Sequence, residues 1–345
     1  MARTVQTVAI ESLLRQHRPT RHLDFKVEVP CPMKNRFQAA YEEFVREQFE
    51  TTGRRFYSFV PSMCGEHVDV PGTIRDVAAA TSIDDLPEVA IDNASGAFTS
   101  PAVVDRFVRA GAFRRVHDLD DARFLTAPEF TDPYGAYNVI AVNPEVMLVD
   151  HKALGDRPVP RTLEDLLDPV YADSLSIADS HRALATRFLT YIHLTHGDDG
   201  LDAIDRTIAT AMNGPTTART AGHTSPAPAA IYLAPWVFAQ SAAKDGRLEV
   251  VWPAEGALAN PILLMVRADL SPENQPLVDF ALSPRLAEIF ATSYFPSTVP
   301  GAPNVLPKGA RVQWPGWPQL LDGDQPALDA ALRARFGTYH HDNSC

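Results

Sequence analysis

Residues 137–180 read YNVIAVNPEVMLVDHKALGDRPVPRTLEDLLDPVYADSLSIADS, and the reading of this stretch decides the fold. Residues 137–142 are apolar apart from Asn138 and include the β-branched Val139, Ile140 and Val142, which predicts a strand. The apolar character returns at 146–149, after Pro144. Thr162 stands where a helix cap is expected, ahead of apolar positions Leu163, Leu166 and Leu167. Residues 175–178 form a second short apolar run, ending in Asp179-Ser180. Strand, helix and strand in this order make the repeating unit of a sheet covered by helices.

The alternation continues in both directions. Towards the N-terminus, strands are expected at 26–29, 55–60 and 88–91. Between the first two, 34–50 reads as a helix with Phe37, Tyr41, Phe44 and Gln48 on one face. Ser100-Pro101 reads as a helix start, a hydroxyl cap followed by proline in the first turn. Towards the C-terminus, a helix carries Leu184, Phe188, Tyr191 and Ile192 inward and stops at Gly197. Further helices are expected at 202–212, 275–290 and 327–336, and strands at 248–252 and 262–266. Such strands build mostly parallel sheets, in which ligands sit beyond the carboxyl ends. That rule nominates the loops at 30–33, 61–67, 92–96, 179–181 and 253–260.

The chain has 345 residues, too many for one compact core and suited to two domains. Its 31 basic and 43 acidic residues give a net charge of −12, which argues against a nucleic-acid partner. No segment reaches the roughly 18 apolar residues of a membrane span. The first residues, MARTVQTVAIESLL, contain the apolar run Val8-Ala9-Ile10, which Glu11 interrupts, so they lack a secretory h-region. Together with a start at Met1 this predicts a cytoplasmic protein; a leader missing from the chain would make it periplasmic or extracellular. The three cysteines, Cys31, Cys64 and Cys345, are an odd count that argues against a disulfide framework.

Two segments carry a resemblance. The run from Tyr137 through Asn143-Pro144, Thr162-Leu163-Glu164-Asp165-Leu166-Leu167 and on to Asp179-Ser180 resembles the beginning of the second lobe in type II extracellular solute-binding proteins of the ferric-iron and polyamine group. Val251-Trp252-Pro253-Ala254-Glu255-Gly256-Ala257 resembles the family's return segment into the first lobe. The resemblance implies a two-lobed, periplasmic-binding-protein-like α/β fold, each lobe a mixed, mostly parallel sheet flanked by helices. It implies lobe one at 22–136 plus 253–345 and lobe two at 137–252, after an N-terminal arm that the sequence itself suggests at 1–21. It implies hinge closure on a small molecule or metal complex held between the lobes, and an ABC permease as partner if the protein is exported. The iron-binding members use two adjacent tyrosines as ligands; here Tyr232 and Tyr294 stand alone. Thiamine-pyrimidine synthases and menaquinone-pathway enzymes share the fold, so a cytoplasmic enzyme is the alternative.

Most of the residues that could carry chemistry lie in the nominated loops. Cys31 and Cys64 with His67 offer soft donors for a transition-metal ion. Either thiol could instead be a nucleophile paired with His67 or His181, or a small buried hydrophobe. Ser180 and His181 stand at a helix start that would favour an anionic group. Asn93, Tyr137, His223, Tyr232 and Glu255 are further ligand-binding candidates. Trp314 and Trp317 are expected to anchor the C-terminal segment on lobe one.

Overall fold

The computed structural model describes residues 23–60, 74–119, 124–125, 130–179, 184–303 and 305–340. The chain divides into two compact units. Unit 1 comprises 1–123, 130–142 and 260–305; unit 2 comprises 124–129, 143–259 and 306–345.

In unit 1, β1 (Phe25–Val27), β2 (Ser58–Phe59) and β3 (Val89–Asn93) are parallel, in the order β2-β1-β3. The far side of β3 pairs antiparallel with residues 262–266. Helix α1 (Lys34–Thr52) buries Phe37, Ala40, Tyr41 and Val45, one face of a 3.6-residue period. Its aromatic side chains continue into a cluster. Phe44 stacks on Phe280 at 4.7 Å between ring centroids, and the Tyr41 hydroxyl meets Ser58 Oγ at 2.5 Å. The expected helix over 275–290 is two helices, because Ser283-Pro284 ends one and starts the next. Ser283 Oγ accepts from Leu286 N, and proline takes the first helical position, where no donor is needed.

Unit 1 also holds two buried polar anchors. Asp132 accepts hydrogen bonds from the backbone N–H groups of Tyr134, Ala136 and Tyr137. Asn138 accepts from Val116 N and His117 N and donates to the carbonyls of Arg114 and Leu264. A lone polar residue in an apolar run is therefore a brace between three segments.

The expected strands at 137–142 and 146–149 are one strand, β4 (Tyr137–Asp150), buried along almost its whole length. In unit 2, β4 lies between β7 (Ile231–Pro235) and β8 (Leu248–Val251), antiparallel to both. Beyond β7 come β5 (Leu175–Ala178) and the edge strand β6 (Ile208–Met212), both parallel to it. β9 (Ala257–Val266) starts in unit 2, where Ala257 and Leu258 pair with β10 (Val312–Gln313). The expected helix over 202–212 is thus half helix and half strand. Helix α2 (Arg187–Thr207) ends at Thr207, and the next five residues form β6 because β5 offers them an open edge. Gly197 interrupts α2 with a left-handed φ of 62°, at the position where the sequence predicts a stop.

The core of unit 2 gathers Met147, Val149, Ile177, Phe188, Ile192, Ile204 and Leu233, and it includes Leu332 and Phe336 from helix α3 (Gln325–Phe336). The C-terminal segment expected on lobe one thus belongs to unit 2. Its apolar residues fill that unit's core, and Asp329 accepts from Thr186 Oγ1 at 2.7 Å. Trp314 and Trp317 pack edge to face on each other, with Trp317 buried.

Candidate functional site

At the carboxyl end of β3, Asp92 is buried with its carboxylate turned back into the fold. It accepts from Asn93 N and Ala97 N and lies 3.8 Å from the buried ammonium of Lys26. A Cβ at position 96 would stand 2.2 Å from Asp92 Oδ1, so the loop can follow this path only with Gly96. The turn presents Asn93, whose Oδ1 accepts from Ser95 N and Ser95 Oγ. Asn260 Nδ2 donates to Ser95 Oγ at 3.3 Å and approaches Asn93 Oδ1 at 3.5 Å. Asn93, Ser95 and Asn260 therefore form a partly exposed patch of neutral donors and acceptors at one strand end. Asn93 was legible in the sequence as a strand-end residue; Asn260 joins it only because β9 runs antiparallel beside β3.

Beyond β1, Cys31 begins a single 3-10 turn. Cys31 is disulfide-bonded. This corrects the expectation of a free thiol at this position, both as a soft metal ligand and as a nucleophile, since a sulfur in a disulfide is neither thiolate nor donor. Cys64, His67, Ser180 and His181 lie outside the described residues. Among the described residues, no three His, Cys, Asp or Glu side chains are placed to hold a metal ion.

In unit 2, the carboxyl ends of β5 and β6 and the start of α2 carry two partnered carboxylates. Asp179, which follows β5, binds His340 Nδ1 with both oxygens, at 2.8 and 3.0 Å. Glu145 on β4 is buried, 3.6 Å from Arg187 in the first turn of α2, and its Oε1 has no hydrogen-bond partner. Burial pushes the Glu145 carboxyl above the usual carboxylate range, and Arg187 only partly offsets it. The spacing of 42 residues between these partners leaves no local signal in the sequence.

A raised carboxyl pKa has a definite consequence for stability. Below the unfolded value near 4.5 the group is protonated in both states and costs nothing. As pH rises the unfolded chain ionises first, so stability is lost up to the folded pKa. Glu145→Gln, which cannot ionise, is therefore expected to gain in melting temperature relative to the parent between pH 4.5 and neutrality. A difference that stays flat over that range would contradict the assignment.

Tyr137, Tyr232 and Glu255 are buried or half-buried in the fold. Tyr137 is buried and donates its hydroxyl to the Phe98 carbonyl. Tyr232 is fully buried within β7, and burial pushes its phenol up to about 12. Both side chains face the interior of the fold. Glu255 is half-buried and accepts from Leu163 N at 2.6 Å, holding the 3-10 turn Glu164–Leu167; burial raises its carboxyl pKa too. His223 lies at the other end of unit 2, in a cavity of about 600 Å³ beside Asp150 and Arg247.

The two mixed α/β units have the type II periplasmic-binding-protein fold. Residues 84–322 match the model of the bacterial extracellular solute-binding proteins, and the chain belongs to that family. It is a ligand-binding module. Among solved structures it is similar to the apo ferric ion-binding protein A of Pasteurella haemolytica, at 11% identity and a TM-score of 0.62 over 94% of this chain and 100% of that one. It is similar to the Trichodesmium protein IdiA (FutA) in complex with iron and citrate ligands, at 15% identity and a TM-score of 0.59 over 92% and 100%. It is also similar to an ABC transporter from Clostridium perfringens, at 12% identity and a TM-score of 0.58 over 92% and 98%. No curated protein matches the sequence. Among the described residues, no helix is long and apolar enough to cross a membrane.

Proposed function

We propose that this protein is the exported solute receptor of an ABC importer, and that it takes a small polar organic molecule or a metal already held by one. The family match over 84–322 carries this reading. Export is supported by the extracellular solute-binding family match and by the disulfide at Cys31, since such bonds persist in oxidising compartments. The strand-end groups support the ligand class. Asn93, Ser95 and Asn260 are neutral hydrogen-bonding groups suited to a solute's periphery. The Trichodesmium relative is a precedent for a metal arriving with organic ligands.

Native mass spectrometry of protein purified from its own host tests the ligand class. A co-purifying organic mass, with or without a metal, is the expected result. A bare metal ion as the only adduct would refute it. The receptor is expected in the periplasmic or extracellular fraction of fractionated cells.

A further inference from the structure

Asp179 and His340 meet at the end of unit 2 where β5 and β6 finish. Asp179 follows β5 directly, and its N–H donates to the carbonyl of Met212, the last residue of β6. Beyond such strand ends is where a sheet of this class receives its solute. His340 reaches this place from far along the chain. Helix α3 buries Leu332 and Phe336 in the core of unit 2, and a 3-10 turn, Gly337–Tyr339, follows it. The Tyr339 hydroxyl bonds Asp205 Oδ1 at 3.2 Å, and His340 N donates to the Gly337 carbonyl. The backbone that carries the ring is therefore tied down before the ring meets Asp179.

The contact uses only one side of the imidazole. The Asp179 side chain is 1% exposed, and both its oxygens accept from His340 Nδ1, at 2.8 and 3.0 Å. A ring nitrogen that donates to a carboxylate carries a proton, so the neutral ring keeps its lone pair on Nε2. Among the described residues Nε2 has no hydrogen-bond partner, and it is not sealed from solvent, since the side chain is 23% exposed. A carboxylate behind an imidazole fixes the tautomer and the ring orientation. It also makes the outer nitrogen a stronger donor to a metal ion.

We infer that His340 Nε2 coordinates the metal of a chelated solute, with Asp179 as the residue that positions the ring. The inference rests on the reading of this protein as a solute receptor and narrows the ligand class. The solute is an organic complex of a transition metal that accepts imidazole, such as iron, copper or zinc. One imidazole does not hold a metal by itself, so the organic part of the solute fills most of the coordination positions and His340 takes one that it leaves open.

Isothermal titration of the full chain tests it, with the citrate complexes of iron(III), copper(II) and zinc(II) as probes and citrate alone as the control. At least one complex is expected to bind saturably, and more tightly than citrate. His340→Asn separates a metal ligand from a clamp. The asparagine amide can still donate to Asp179 from near the place of Nδ1, but no atom replaces Nε2. Its melting temperature should match the parent's, while binding of the complex falls by about tenfold or more. Asp179→Asn keeps an acceptor for Nδ1 without the charge and should weaken binding less than His340→Asn does. Saturable binding of none of the three complexes would overturn the inference, as would binding that His340→Asn leaves unchanged. On protein purified from its own host, a metal-free organic adduct would overturn this inference and leave the receptor reading intact, whereas a bare metal ion would refute the receptor's ligand class itself.

Discussion

Asp92→Ala is expected to destabilise the protein by about 3–5 kcal/mol, the cost of leaving a buried charge without its partner. The Lys26 ammonium lies 3.8 Å from Asp92 with its side chain 4% exposed, and it sits 5.8 Å from the Phe98 ring centroid. An aromatic face attracts a cation but does not replace a carboxylate in so dry a place. The same substitution removes the acceptor for Asn93 N and Ala97 N. Urea unfolding followed by circular dichroism measures the loss. Lys26→Met in the Asp92→Ala background should return part of it, because the stranded charge goes with the lysine. If the double variant is no more stable than Asp92→Ala alone, the orphaned ammonium is not the source of the cost. The loop from Asn93 to Gly96 is built on this carboxylate, so solute affinity should fall along with stability in Asp92→Ala.

Asp132→Ala is the second large effect, again about 3 kcal/mol or more. Three backbone donors, from Tyr134, Ala136 and Tyr137, converge on one buried carboxylate. Each buried donor left without a partner costs about 1–3 kcal/mol, although relaxation and water entry keep the sum below three separate penalties. The affected segment leads into β4, so hydrogen exchange should show it first. The amides of 134–137 are expected to lose protection in the variant. Asp132→Asn keeps one carbonyl oxygen as acceptor and should fall between the parent and the alanine variant. An asparagine variant as unstable as the alanine one would show that charge, not acceptor count, holds this turn.

Both sites show how far local sequence reaches. Asp92 was legible as the polar residue that closes an apolar run, but its partner Lys26 lies on another strand, and the parallel pairing of β1 and β3 brings them together. Asn138 stood out as the one polar residue in 137–142. That it braces Val116, His117, Arg114 and Leu264 is written in no local pattern. Tyr137 and Tyr232 invited a ligand-binding reading because aromatic residues line pockets, but a tyrosine on a strand can equally turn inward. Only burial distinguishes the two cases, and both are buried.

By itself the sequence determined the α/β class, most element positions, the break at Gly197 and the family resemblance at 137–180 and 251–257. These follow from short-range periodicity, caps and prolines, all of which act within a few residues. The tertiary structure decided what depends on pairing at a distance. The edge of β5 draws 208–212 into a strand. Asp179 meets His340 across 161 positions. The C-terminal helix fills the core of unit 2, and Lys152, His223 and Arg247 meet around one cavity. Each of these contacts joins residues whose separation along the chain carries no period, so strand register and packing alone bring them together.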